Sequence, residues 1–147
     1  MSIAVQASSI ADRLRDLGDI AIDRVRATPP IGTATIDDLI AANDAKSRPQ
    51  CELVDQALVE KAMSYEASVV AAAIIRIISN FVVPRQMGLV TGADGFFRLP
   101  AGDVRGPDVA FVSRERLQAC GFPGEAYPTI SPDLAIEVLS PGNTRRK

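Results

Sequence analysis

The sequence predicts an α+β fold in which a β-hairpin and a long helix precede a run of short strands. Three observations carry that expectation. "SYEASVVAAAIIRIISNFV" repeats apolar residues every three or four positions behind Ser64, which can cap the first turn. Downstream, "LVTGADGFFRL", "VRGPDVAFVS" and "PDLAIEVLS" are short, β-rich and bounded by glycine or proline. The 147 residues are nearly half apolar, enough for one core and too few to make a second domain the expectation.

Taken in order, "SIADRLRDLGDIAIDRVR" carries Ile10, Leu14, Leu17 and Ala21 at helical spacing, with Gly18 weakening a continuous helix. Residues 1–30 are therefore expected to form an N-terminal helical extension and residues 31–147 the domain itself. The prolines and glycine of "ATPPIGTAT" make a loop. Thr35 followed by Asp38 resembles a capping arrangement that opens a helix over "IDDLIAAND". "CELVDQALVE" suggests a hairpin turning at Asp55-Gln56, although Gln56 occupies a position that favours glycine. In the long helix Glu66, Val70, Ala73, Ile74, Ile77 and Phe81 share one apolar face, and Pro84 ends the element. "RERLQACGFPGEAYPTIS" reads as a long connection between the last two strands.

Composition excludes several chemistries. Histidine is absent, which removes Ser-His-Asp and Cys-His catalysis and histidine-ligated zinc hydrolases. Cys51 and Cys120 have neither zinc-finger nor disulfide-scaffold spacing and are expected to be reduced thiols. Hydrolysis would rest on carboxylates, lysine and a metal ion. A net charge of −2 provides no general attraction to nucleic acid, so DNA binding needs a local basic surface. The apolar stretch from Val69 to Val83 is interrupted by Arg76, Ser79 and Asn80, and no membrane span is expected. The first residues lack a basic start before an apolar block, so cytoplasmic residence is the expectation.

Two carboxylates interrupt the apolar strands. Alternation places Asp108 with Ala110 and Val112 on one face of "PDVAFVS", and Glu137 with Ala135 and Leu139 on one face of "PDLAIEVLS". Both segments are apolar on both faces, as central strands are. A buried carboxylate needs a cation, donors or a proton. Asp108 and Glu137 on neighbouring strands could hold Mg²⁺ and leave coordination positions for water and a phosphate oxygen. Pairing with an arginine such as Arg76 or Arg98 would satisfy the same charge, and spacing leaves both solutions open.

"CELVDQALVEK", "RGPDVAFVSRERL" and "PDLAIEVLSPGNT" resemble, in that order, the motifs of the Uma family of restriction-endonuclease-like proteins within the PD-(D/E)XK nuclease superfamily. The resemblance runs from about Gly32 onward. It implies a restriction-endonuclease-like core, with a mixed or antiparallel sheet flanked by helices. Asp108 resembles the motif aspartate, Glu137 the second acidic ligand and Glu66 the accessory helix glutamate, with Glu52 an outside candidate. The superfamily lysine usually lies two residues after the glutamate, where this sequence has Leu139; Lys147 is the candidate replacement. The last helix and strand expected from the resemblance do not follow, so the expectation is a C-terminally incomplete member.

These implications define two functions to test. One is a metal-dependent DNA endonuclease, with Mg²⁺ or Mn²⁺ on Asp108 and Glu137 and Arg105, Arg114, Arg116, Arg145 and Arg146 as phosphate contacts, acting as a homodimer on two strands. The other is an inactive nuclease-fold module that binds nucleic acid or protein.

Overall fold

The computed structural model describes residues 20–45, 49–62, 64–120 and 124–139. Its first regular element is a short 3-10 turn, Ile22–Arg24, followed by an isolated bridge from Val25 to Val59. Residues 1–19 of the expected helical extension lie outside the described residues. Helix α1, Ile36–Asp44, begins with a full capping box. The Asp38 N–H donates to Thr35 Oγ1 at 3.3 Å, and the Thr35 N–H donates to Asp38 Oδ2 at 2.8 Å. That reciprocal pair satisfies two of the N–H groups a helix start leaves free.

Strands β1, Cys51–Val54, and β2, Ala57–Glu60, form the expected hairpin. Asp55 and Gln56 both adopt positive φ, at 44° and 57°, as a two-residue turn matching the strand twist requires. Gln56 takes this conformation without being glycine, and its carbonyl accepts the N–H groups of Gly32 and Ala34. The preceding loop is thereby tied to the hairpin.

Helix α2, Tyr65–Val82, is capped by Ser64, whose Oγ accepts the Ala67 N–H at 3.1 Å. Five further strands follow: β3 (Gly88–Gly92), β4 (Phe97–Arg98), β5 (Val104–Arg105), β6 (Val109–Ser113) and β7 (Leu134–Ile136). Helix α3, Arg114–Cys120, continues directly from β6. The strands assemble into two sheets, ordered β2-β1-β5-β4 and β3-β6-β7, and every pairing within them is antiparallel. Helix α1 packs on β1, while α2 packs on β3 and β6. One core cluster joins Leu39 to Cys51, Leu53, Leu58, Phe96 and Val104, and another joins Phe97 to Ala110, Val112 and Ile130.

Four features differ from the sequence expectation. "LVTGADGFFRL" and "VRGPDVAFVS" each divide into two strands, β3 with β4 and β5 with β6, that belong to different sheets. The connection after β6 is not irregular throughout, because it opens with α3. Strand β6 is central, but β7 lies at a sheet edge, with Leu134 44% and Leu139 70% exposed. Its alternating apolar residues resemble those of a central strand, yet among the described residues no further strand pairs beyond it. Finally, α2 turns the stripe Ala71, Ile75, Ile78 and Val82 toward the sheet, and Ile75 lies close to Gly92. The face bearing Glu66, Val70, Ala73, Ile77 and Phe81 is exposed. The helix is apolar almost all round, so periodicity alone does not select its buried stripe. By length and composition alone it is also long and apolar enough to cross a membrane.

Candidate functional site

The β6–β7 register builds the centre of the site. Val109 pairs with Ile136 and Ala110 with Ala135, so the same antiparallel register sets Asp108 opposite Glu137. Side chains opposite one another share a face of the sheet. The Val138 N–H donates to Asp108 Oδ2 at 2.8 Å, which fixes one carboxylate oxygen beside the other acid. Asp133 secures the entry to β7: its Oδ2 accepts the Ser113 N–H at 2.8 Å and its Oδ1 pairs with Arg116 Nε at 2.7 Å. The Arg116 contact and the Ser113 N–H hold the Asp133 carboxyl below the usual carboxylate range.

The segment leading to Asp108 is gripped from the other sheet. Glu52 on β1 is buried, at 5% exposure; its Oε1 accepts the Gly106 N–H at 2.7 Å and its Oε2 lies 3.4 Å from Arg105 Nε. Lys61, just beyond β2, donates through Nζ to the Gly106 carbonyl and to the Ala93 carbonyl, the latter at 2.8 Å. Its ammonium also lies 5.4 Å from the centre of the Phe96 ring. Gly106 has no room for a side chain, because an added Cβ would come within 2.8 Å of that ring.

A cleft of about 280 Å³ opens between the start of α2 and this assembly. Lys61, Asp94 and Asp108 line it together with Ser64, the cap of α2, and small residues of the helix including Ala67 and Ala71. Glu137 is solvent-accessible at the β7 end, but the surrounding protein raises its pKa, and the charges of Glu52 and Asp108 raise it further. Lys61 and Arg105 act in the opposite direction. Two facing carboxylates offer oxygen donors of the type Mg²⁺ and Mn²⁺ prefer. Among the described residues no group of three or more His, Cys, Asp and Glu side chains is arranged to hold a metal ion. Water or substrate oxygens would complete the coordination of an ion held by Asp108 and Glu137.

The Uma2 family model, described as "Putative restriction endonuclease", matches residues 36–147, most of the chain. The chain belongs to the Uma2 family. A solved structure titled as "a putative nuclease belonging to DUF820" from Anabaena variabilis shares its fold, with a TM-score of 0.58 and 19% sequence identity. The similarity covers 76% of this chain and 61% of that one, so the chain spans less than two thirds of the length of that neighbour. No curated protein matches it.

In this Uma2 chain the register sets Asp108 opposite Glu137, and Glu52 and Lys61 hold Gly106 two residues before Asp108. Glu66 is elsewhere, on the exposed face of α2, and is not among the charged groups that shift Glu137. Lys147 lies outside the described residues, as do Arg145 and Arg146. Arg105 pairs with Glu52 and Arg116 with Asp133, while Arg114 is exposed and donates to Gln86 Oε1 at 3.1 Å. Arg76 and Arg98 are exposed, and the cations acting on Glu137 are Lys61 and Arg105. Sequence reasoning missed Lys61 as a site residue. The signal that could have found it was its place at the end of "CELVDQALVEK", directly after the hairpin.

Proposed function

We propose that this Uma2 chain is a metal-dependent endonuclease that hydrolyses phosphodiester bonds in DNA, with Asp108 and Glu137 holding Mg²⁺ or Mn²⁺. The observation that carries this reading is the β6–β7 register, which sets Glu137 opposite Asp108, a residue that lines the cleft. When bound, such a cation supplies Lewis-acid activation of water and stabilises charge developing on the phosphoryl oxygens. The protein's own contribution is positional and electrostatic. The Val138 N–H orients Asp108 by holding Oδ2. The surrounding protein and the Glu52 and Asp108 charges raise the pKa of Glu137, so a cation held there would favour its ionised form. Arg114, exposed at the start of α3, is available to a phosphate backbone. Two copies acting together suit a double-strand cut.

Titrating Mn²⁺ into the protein and assaying nicking of supercoiled plasmid tests the reading. Wild type is expected to bind Mn²⁺ and nick, with Glu137→Gln and Asp108→Asn each lowering nicking by about 100-fold or more. Undiminished nicking by Glu137→Gln refutes the assignment. Leu139 occupies the position where the superfamily usually has lysine, and this favours a second reading: a nucleic-acid-binding module without cleavage. Metal and DNA binding without nicking by wild type selects that alternative.

A further inference from the structure

We propose that Lys61 is a positioning residue of the site, holding the Gly106–Asp108 segment so that Asp108 meets Glu137 in a metal-binding arrangement. The inference rests on the two-carboxylate reading above for its functional consequence, but its structural basis is independent. Lys61 Nζ bridges two carbonyls from different parts of the chain, Ala93 after β3 and Gly106 before β6. The opposite backbone group of Gly106, its N–H, is held by the buried Glu52 carboxylate. Gly106 is therefore fixed through its carbonyl by a cation and through its N–H by an anion. Asp108 lies two residues on and bonds the Val138 N–H.

Position and charge act together here. A lysine with a flexible stem does not hold one geometry by itself, since its rotamers must be restrained by packing. The Phe96 ring beneath the ammonium and the two carbonyl acceptors supply that restraint. Lys61 also lines the cleft together with Asp108. A methionine of similar length would fill the volume but leave both carbonyls without this donor. Arginine would keep the charge and several donors.

Amide hydrogen exchange in the metal-free, ¹⁵N-labelled full chain tests the positioning directly, using wild type, Lys61→Met and Lys61→Arg. In a folded Lys61→Met protein the Gly106 and Val138 amides are expected to exchange about tenfold faster or more, while the Leu39 amide in α1 is unchanged. Mn²⁺ affinity, measured calorimetrically, falls about tenfold in Lys61→Met, and Lys61→Arg restores most of both effects. If Lys61→Met does not fold, Lys61→Gln is read by the same two amides. Unchanged exchange at Gly106 and Val138 overturns the proposal. Equal acceleration at Leu39 also overturns it, because Lys61 would then support the whole fold rather than the site. If wild type binds no Mn²⁺, the metal reading fails, while the two amides still decide whether Lys61 positions the segment.

Discussion

Replacing Glu52 by alanine tests whether the grip on Gly106 is as strong as its geometry implies. Glu52 is buried, and its Oε1 accepts the N–H of Gly106, itself buried, at 2.7 Å. Removing the acceptor leaves a buried donor unsatisfied, at a cost of about 1–3 kcal/mol, and the lost side-chain volume adds about 1 kcal/mol. The Arg105 pair adds little, because that side chain is 38% exposed and water compensates its charge. The expected loss is about 2–4 kcal/mol, toward the lower side of the roughly 3–5 kcal/mol seen when a fully buried pair loses one partner. For a chain of this size that corresponds to a melting point lower by roughly 5–15 °C. Urea unfolding followed by circular dichroism at constant pH measures it. Glu52→Gln, which keeps an acceptor oxygen, should recover about half of the loss or more. A Glu52→Ala cost below about 0.5 kcal/mol would refute the reasoning, since the Gly106 N–H would then have found another partner without penalty.

Gln56→Gly should stabilise the protein by about 0.5–1 kcal/mol in the same assay: it relieves a left-handed residue with a Cβ, and the gain exceeds the added unfolded-chain entropy. Gly106→Ala should destabilise it by about 1–3 kcal/mol as the Phe96 ring is displaced, and should weaken Mn²⁺ binding measured by calorimetry. The surrounding protein and the Glu52 and Asp108 charges raise the folded-state pKa of Glu137, so ionising it opposes folding. Metal-free wild type should therefore lose stability relative to Glu137→Gln as pH rises from the unfolded carboxyl range through the raised folded value. Below that window the difference between the two becomes constant, and identical pH profiles throughout would contradict the shift.

The placement of the two candidate carboxylates was legible because strand alternation is a strong local rule. Counting by twos along "PDVAFVS" and "PDLAIEVLS" was enough to assign Asp108 and Glu137 to particular faces, and the β6–β7 register sets them opposite one another. The Thr35 and Ser64 caps were legible for the same reason: a cap needs one side chain and a backbone three residues away, both visible in a short window. The edge position of β7 was not, because edge or centre depends on what pairs beyond the strand. The exposed face of α2 was likewise decided by the small sheet it lies on, rather than by its own spacing.

Lys61 shows why the remaining part escaped sequence reasoning. Its contacts with Ala93 and Gly106 span 32 and 45 residues, and both acceptors are backbone carbonyls. A carbonyl belongs to every residue, so no residue type at either position announces the contact. The carboxylates could be found because an acid in an apolar strand violates a local pattern and demands a partner. A lysine just past the end of a strand violates nothing. Its role emerges only when the two sheets bring the end of β2 against the segment between β5 and β6, where Gly106 already lacks space for a side chain and Glu52 already holds its N–H. The same interaction that makes Lys61 invisible in the sequence makes it testable in the protein: its loss should be felt at two named amides distant in the chain, and little elsewhere.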